Sequence, residues 1–150
     1  MVSKIKEKRR ELRNSEGFTL IELLVVMIII GLLASLVGPR LFGKVDKAKQ
    51  QTAQAQIELL STGLGSFRLD IGRFPSEEEG LNSLIEKPSD LDKWDGPYLA
   101  KEIPKDPWGN DYVYKCPGEH GPYDLMSYGM DGVQGGEEND LDIVSWKNIE

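Results

Sequence analysis

Apolar residues fill one stretch near the start of the chain, residues 18–38, in which Glu22 is the one charged side chain. As a helix, these residues would span about 32 Å, enough to cross the hydrocarbon core of a membrane. A helix that is apolar on every side is too hydrophobic for a small soluble domain to cover. The pattern therefore predicts a membrane-spanning helix with a carboxylate near its start.

The helical pattern resumes beyond Gly38-Pro39. Apolar residues then recur at spacings of three and four, which places them on one stripe of a helix: Ala53, Ile57, Leu60, Leu64, Phe67 and Ile71. A proline inside a helix removes a backbone hydrogen bond. We therefore expect one stem helix from near Phe18 to about Ile71, kinked or loosened at Gly38-Pro39, with a soluble domain packed on its second half.

The rest of the chain predicts smaller elements. Ser76 and Glu79 have the spacing of a capping box, which predicts a short helix from about Glu77 to Glu86 that buries Leu81, Leu84 and Ile85. Residues 87–111, rich in Pro, Gly and Asp, predict a long irregular stretch. Short strands are expected near Tyr112–Lys115, Asp124–Ser127 and Ile143–Trp146. The predicted fold class is α+β, a long N-terminal stem helix with a short antiparallel sheet.

Charge divides the chain into a basic leader and an acidic remainder. The whole chain carries −7; residues 1–17 hold six Lys/Arg and three Glu, a net +3, which leaves −10 for the rest. A basic end before an apolar run stays on the cytoplasmic side of a membrane. The acidic remainder offers no basic face to phosphates, which argues against a nucleic-acid partner. Charge and hydropathy alone fit an uncut signal anchor.

The junction reads Glu16-Gly17-Phe18-Thr19-Leu20-Ile21-Glu22-Leu23. It resembles the class III signal of type IV pilins and type II secretion pseudopilins. The resemblance implies that a prepilin peptidase cuts between Gly17 and Phe18, removes residues 1–17 and N-methylates Phe18. It also implies that Glu22 neutralises the Phe18 amine of a neighbouring subunit during filament assembly. A lone charge in a membrane segment costs roughly 2.5–3.5 kcal/mol and is by default functional.

Later motifs resemble the major pseudopilins of type II secretion systems: Arg73-Phe74-Pro75, Glu79-Gly80-Leu81, Asp106-Pro107-Trp108-Gly109-Asn110-Asp111-Tyr112 and Pro117-Gly118-Glu119-His120-Gly121. This resemblance implies a type IV pilin-like fold and a structural subunit of a homo-oligomeric helical filament in the periplasm. That filament assists the export of folded proteins across the outer membrane. The chain would be a single-pass inner-membrane protein, with residues 39–150 as its periplasmic domain. The implied partners are the prepilin peptidase, minor pseudopilins and an inner-membrane assembly platform.

The C-terminal loop is rich in carboxylates and glycine. Oxygen ligands of this kind suit a hard cation such as Ca²⁺, and a solvated acidic loop has the same pattern. The resemblance implies a structural calcium ion, held by the backbone carbonyl of Tyr128 and by Asp131, Asp140 and Asp142. Asp140 is assigned by proximity, because Leu141 separates it from Asp142.

Two other interpretations stay open. One is a type IV pilin for adhesion, motility or DNA uptake; the other is a membrane-anchored enzyme or calcium-binding module. The enzyme interpretation is weak, because Cys116 and His120 come with no nucleophile motif.

Overall fold

The computed structural model describes residues 17–149, so the predicted leader, apart from Gly17, lies outside the described residues. Helix α1 spans Leu20–Ile71 and contains Pro39. Strands β1, β2 and β3 span Val113–Lys115, Asp124–Ser127 and Ile143–Val144. Two 3₁₀ helices span Leu81–Leu84 and Glu138–Asp140. This architecture confirms the predicted α+β class with a long stem.

The chain divides into two units between Phe42 and Gly43. In the first unit, each residue from Gly17 to Val37 is exposed. This half of α1 is long and apolar enough to cross a membrane. Exposed apolar surface of this extent marks a membrane or partner contact.

The second unit has its own core on one stripe of α1. The stripe residues are almost fully buried, as their spacing predicted: Ala53, Ile57, Leu60, Leu64 and Phe67. Leu84, Leu125 and Ile143 join this core from three different segments. Ile71, the last residue of the stripe, is only half-buried.

The three strands form an antiparallel sheet in the order β1-β2-β3. Tyr114 pairs with Leu125 across β1 and β2, and Ser127 pairs with Ile143 across β2 and β3. All four residues of β2 are buried. The predicted strand positions are confirmed, although β3 ends two residues earlier than expected.

The predicted helix over residues 77–86 is wrong. The capping box itself forms: Ser76 N–H donates to Glu79 Oε2 at 2.7 Å, and Glu79 N–H donates to Ser76 Oγ at 3.2 Å. However, Gly80 takes φ +57°, where a helix cannot continue, and the chain turns into the 3₁₀ helix Leu81–Leu84. Leu81 and Leu84 are nevertheless buried.

Glu79 also ties this turn to the end of the stem. Arg73 donates from both guanidinium nitrogens to the two oxygens of Glu79, at 2.6 and 2.7 Å. This fork lowers the pKa of Glu79 to about 2, despite the opposing effect of burial.

The ion pair makes stability depend on pH. A depressed folded-state pKa stabilises the fold above the unfolded pKa of 4.5 and loses that effect as pH falls toward 2. We expect Glu79→Gln to lower the unfolding free energy at pH 7 by about 2 kcal/mol and to flatten its fall below pH 4.5. Urea unfolding of residues 43–150 between pH 2 and 7 measures this. Arg73→Lys keeps the positive charge but not the two parallel hydrogen bonds, so it should lose only part of this stabilisation. An unchanged dependence of the unfolding free energy on pH in Glu79→Gln would contradict the role of the pair.

Candidate assembly site and metal-binding loop

Thr19 and Glu22 form a closed arrangement at the start of α1. The backbone N–H and the hydroxyl of Thr19 donate to Glu22 Oε2 at 2.8 and 2.9 Å. In return, Glu22 N–H donates to Thr19 Oγ1 at 3.2 Å. Thr19 precedes the first helical residue and Glu22 is the third, which is a capping box. The carboxylate therefore has a partner within its own chain, one that the Thr-x-x-Glu spacing could have revealed.

The predicted cleavage bond lies just before this arrangement. Residues 17–19 are outside the helix, and the Phe18 side chain is 83% exposed. Among residues 17–149, no side chain or backbone atom would lie within 4 Å of a Cβ on Gly17. Gly17 and Phe18 are thus both exposed and non-helical.

Two predicted calcium ligands lie in the loop between β2 and β3 with different environments. Asp131 is exposed, and its Oδ1 accepts a hydrogen bond from Val133 N–H at 3.0 Å. Asp142 Oδ2 accepts from Gly135 N–H at 2.8 Å. Asp142 Oδ1 is buried and has no hydrogen-bond partner in the part of the chain that the structure describes. A buried carboxylate oxygen without a partner is costly, so this atom is where a cation would stabilise the loop most.

The ends of the loop meet at Gly129. Its φ of +66° suits glycine, and a Cβ there would lie 3.0 Å from the carbonyl oxygen of Leu141 and 3.2 Å from that of Asp140. Tyr128, the predicted carbonyl ligand, precedes this closure and is half-buried. Across residues 17–149, no three His, Cys, Asp or Glu side chains converge where they could share a metal ion. The structure therefore brings Asp140 to the closure through its backbone but does not group the carboxylates of Asp131, Asp140 and Asp142.

Asp106 holds the start of the loop, a role that the sequence did not reveal. Its buried side chain accepts hydrogen bonds from the backbone N–H groups of Trp108 and Asn110 at 3.0 and 2.8 Å. The Ser127 hydroxyl donates to its other oxygen at 2.6 Å, and Asn110 Nδ2 donates to the carbonyl of Gly129 at 3.2 Å. The Asp-Pro-Trp-Gly-Asn motif thus positions the chain on both sides of Tyr128.

The Pro-Gly-Glu-His-Gly motif folds around Asp124, the first residue of β2. The N–H groups of Glu119 and His120 and the His120 ring all bond its carboxylate, at 3.0 to 3.1 Å. Burial acts to raise the pKa of Asp124, but these hydrogen bonds outweigh it and lower that pKa. The His120 ring stacks on Trp146 with centroids 3.9 Å apart. His120 thus helps to form this turn. The Cys116 thiol contacts the carbonyl of Pro122.

Two family models match the chain. Residues 40–146 match the model described as type II secretion system (T2SS), protein G. Residues 12–38 match the prokaryotic N-terminal methylation motif. Together they cover the apolar run, the stem and the soluble unit.

Several proteins called type II secretion system core protein G are similar to this chain over most of their length. The one from Pseudomonas aeruginosa is 42% identical over 91% of this chain and 98% of its own. The one from Escherichia coli K12 is 46% identical over 89% and 92%. The crystal structure of the major pseudopilin from the type 2 secretion system of enterohaemorrhagic E. coli matches with a TM-score of 0.60 and 37% identity, over 72% of this chain and 95% of that one.

Proposed function

The chain belongs to the type II secretion system protein G family and is a pseudopilus subunit, and we propose that it enters the filament as a leader-cleaved, membrane-anchored precursor. The observation that carries this proposal is the junction at Gly17-Phe18. This exposed, non-helical bond opens the apolar run 18–38, in which Glu22, in the first turn of α1, is the one charged residue. The type IV pilin interpretation is less favoured, because the matching family is that of secretion.

The anchor and the filament core would be the same segment. In the precursor, residues 18–38 lie in the inner membrane, the leader stays cytoplasmic and the acidic unit lies in the periplasm. On assembly, these apolar stems leave the membrane and pack against each other. The family is one of structural subunits, and we assign this chain no catalytic task. Minor pseudopilins and an inner-membrane platform would guide its assembly.

Cleavage gives Glu22 a choice of partner. In the uncut chain its carboxylate accepts hydrogen bonds from Thr19. The new amine of Phe18 is a positive group that did not exist before the cut. Because a buried carboxylate without a positive partner is costly, pairing with the amine of a neighbouring copy would fix the axial register of the stems.

Mass spectrometry of the membrane-extracted protein tests the processing. We expect a chain that begins at Phe18 and carries one added methyl group on its amine. Cells lacking the prepilin peptidase should contain the intact chain from Met1. An intact chain in cells with an active peptidase would instead support an uncut anchor.

Removing the charge of Glu22 tests its role in filament assembly separately from its effect on membrane insertion. We expect Glu22→Ala to insert into membranes as well as the native chain, or better, because a costly charge is gone. Filament yield, measured by shearing and electron microscopy, should fall at least tenfold, since the amine loses its partner. Ser35→Ala is the matched control, because Ser35 bonds only the carbonyl of Leu32 within the same run. Normal filaments from Glu22→Ala would refute the pairing.

The loop between β2 and β3 fits a structural calcium ion in the chemistry of its donors. Asp142 offers a buried oxygen without a partner among the described residues, and the closure brings Gly129 next to the backbone carbonyls of Asp140 and Leu141, the two residues before Asp142. Tyr128, Asp131 and Asp140 are the further candidate ligands. A bound Ca²⁺ would supply positive charge to a loop that has five carboxylates between residues 128 and 142 and no Lys or Arg. The ion would stabilise the folded loop by mass action.

Chelation tests the ion. We expect a chelator to lower the melting temperature of residues 43–150, and added calcium to restore it. At a calcium concentration 100 times its Kd, the stabilisation is about 2.7 kcal/mol, or roughly 10 °C for a unit of this size. Asp142→Asn should remove most of the response, whereas Asp111→Asn, which alters an exposed ion pair with Lys105, should keep it. The absence of any calcium-dependent shift in the native fragment would exclude the site.

A further inference from the structure

A groove of about 500 Å³ lies in the soluble unit, between the first turns of its part of α1 and the C-terminal segment. Asp46 and Lys47 line it from α1. Glu138, Asp142 and Lys147 line it from the C-terminal segment, where Leu141 and Val144 add apolar surface. The groove thus has both signs of charge on both walls, next to apolar side chains.

The two lysines in this groove have no partner among the described residues. The ion pairs found there are Arg73–Glu79, Lys105–Asp111 and His120–Asp124. Across residues 17–149, no carboxylate lies within 4 Å of either ammonium group, although Asp46 and Glu138 line the same groove. Lys47 and Lys147 are 100 positions apart in sequence, and the fold places both at one concave surface. Two unpaired cations there form a site for an anionic group of a ligand.

The segment of α1 that lines the groove is basic, although the unit as a whole is acidic. Residues 1–42 hold seven Lys/Arg and four Glu, so residues 43–150 carry −10. Within that unit, residues 43–50 hold three Lys and one Asp, a net +2. This short basic segment begins a few residues after the apolar run. Lys47 follows Gly38 by nine positions, so the two can be no more than about 32 Å apart even in an extended chain.

We propose that this groove binds the zwitterionic headgroup of a membrane phospholipid, one with a phosphodiester and a primary ammonium group. The phosphate would bind Lys47 and Lys147, and the ammonium would donate hydrogen bonds to Asp46 and Glu138. Leu141 and Val144 would contact the glycerol end of the lipid. A purely anionic ligand satisfies the lysines but leaves the carboxylates unpaired, whereas a zwitterion satisfies both sets.

The inference rests on the proposed membrane anchor, which places the groove within reach of a lipid surface. Headgroup binding would affect the subunit only while it is still in the membrane, before it enters the filament. The bound headgroup would hold the basic end of the soluble unit at the membrane, while the remaining net negative charge is repelled by anionic lipids. Extraction into the filament would then release the headgroup.

Lysine reactivity in vesicles tests the site. The full chain is reconstituted into phosphatidylcholine vesicles, alone or mixed with phosphatidylethanolamine or with phosphatidylglycerol, at constant calcium. Acetylation of each lysine is followed by mass spectrometry relative to Lys101, an exposed lysine outside the groove. We expect Lys47 and Lys147 to react roughly three- to tenfold more slowly with phosphatidylethanolamine than with phosphatidylcholine alone. Equal rates in all vesicles would overturn the proposal.

Other results would assign the groove to a different ligand. Greater protection by phosphatidylglycerol, or equal protection by inorganic phosphate in detergent, would overturn the zwitterion in favour of an anion alone. Asp46→Asn should abolish the preference for phosphatidylethanolamine, and the control Glu102→Gln should keep it. Vesicle flotation distinguishes failure of the membrane anchor from failure of the headgroup site. A chain that does not float with the vesicles refutes the anchor. A chain that floats but whose lysines are not protected from acetylation refutes only the headgroup site.

Discussion

The soluble unit depends on one apolar stripe of α1. Its strands have only two to four residues each, and sheets this small are not stable by themselves in water. They persist because Leu125 and Ile143 pack on the stripe beside Ile57, Leu60 and Phe67. Aromatic side chains extend this core. The Tyr114 hydroxyl donates a hydrogen bond to the carbonyl of Pro75 at 2.8 Å, and the rings of Phe67 and Tyr98 pack edge to face. The small domain thus depends for its core on one helix, which is longer than the domain itself needs.

The same helix has the opposite requirement in its first half. There the apolar side chains are exposed among the described residues, so a membrane or neighbouring stems would have to cover them. The segment tolerates one carboxylate because Thr19 bonds it at the helix start, where negative charge also suits the helix dipole. Secondary structure therefore satisfies the charge locally before any partner arrives.

Hydrophobic spacing was enough to predict the stem, its buried stripe and the three strands, because each depends on local periodicity. It was not enough for residues 77–86. The capping box of Ser76 and Glu79 predicts a helix. However, Arg73 also binds Glu79, and the positive φ of Gly80 redirects the chain directly after the capping box. Asp106 was missed for a related reason: its partner Ser127 is 21 residues away and its function is to fix a loop, which no local pattern encodes. The positions of the predicted calcium ligands depend in the same way on contacts between distant residues, so spacing alone could not show that the carboxylates of Asp131, Asp140 and Asp142 are not grouped among the described residues.

The hydrogen bonds between Thr19 and Glu22 also limit how strongly the filament can be held together at this point. A carboxylate that entered assembly with no partner would release a large free energy on meeting an amine, and the polymer would be hard to dismantle. In the proposed pairing, Glu22 would enter with two hydrogen bonds already made, so it would gain only the difference between Thr19 and the ammonium group. The free energy that this pairing adds per subunit would therefore be small.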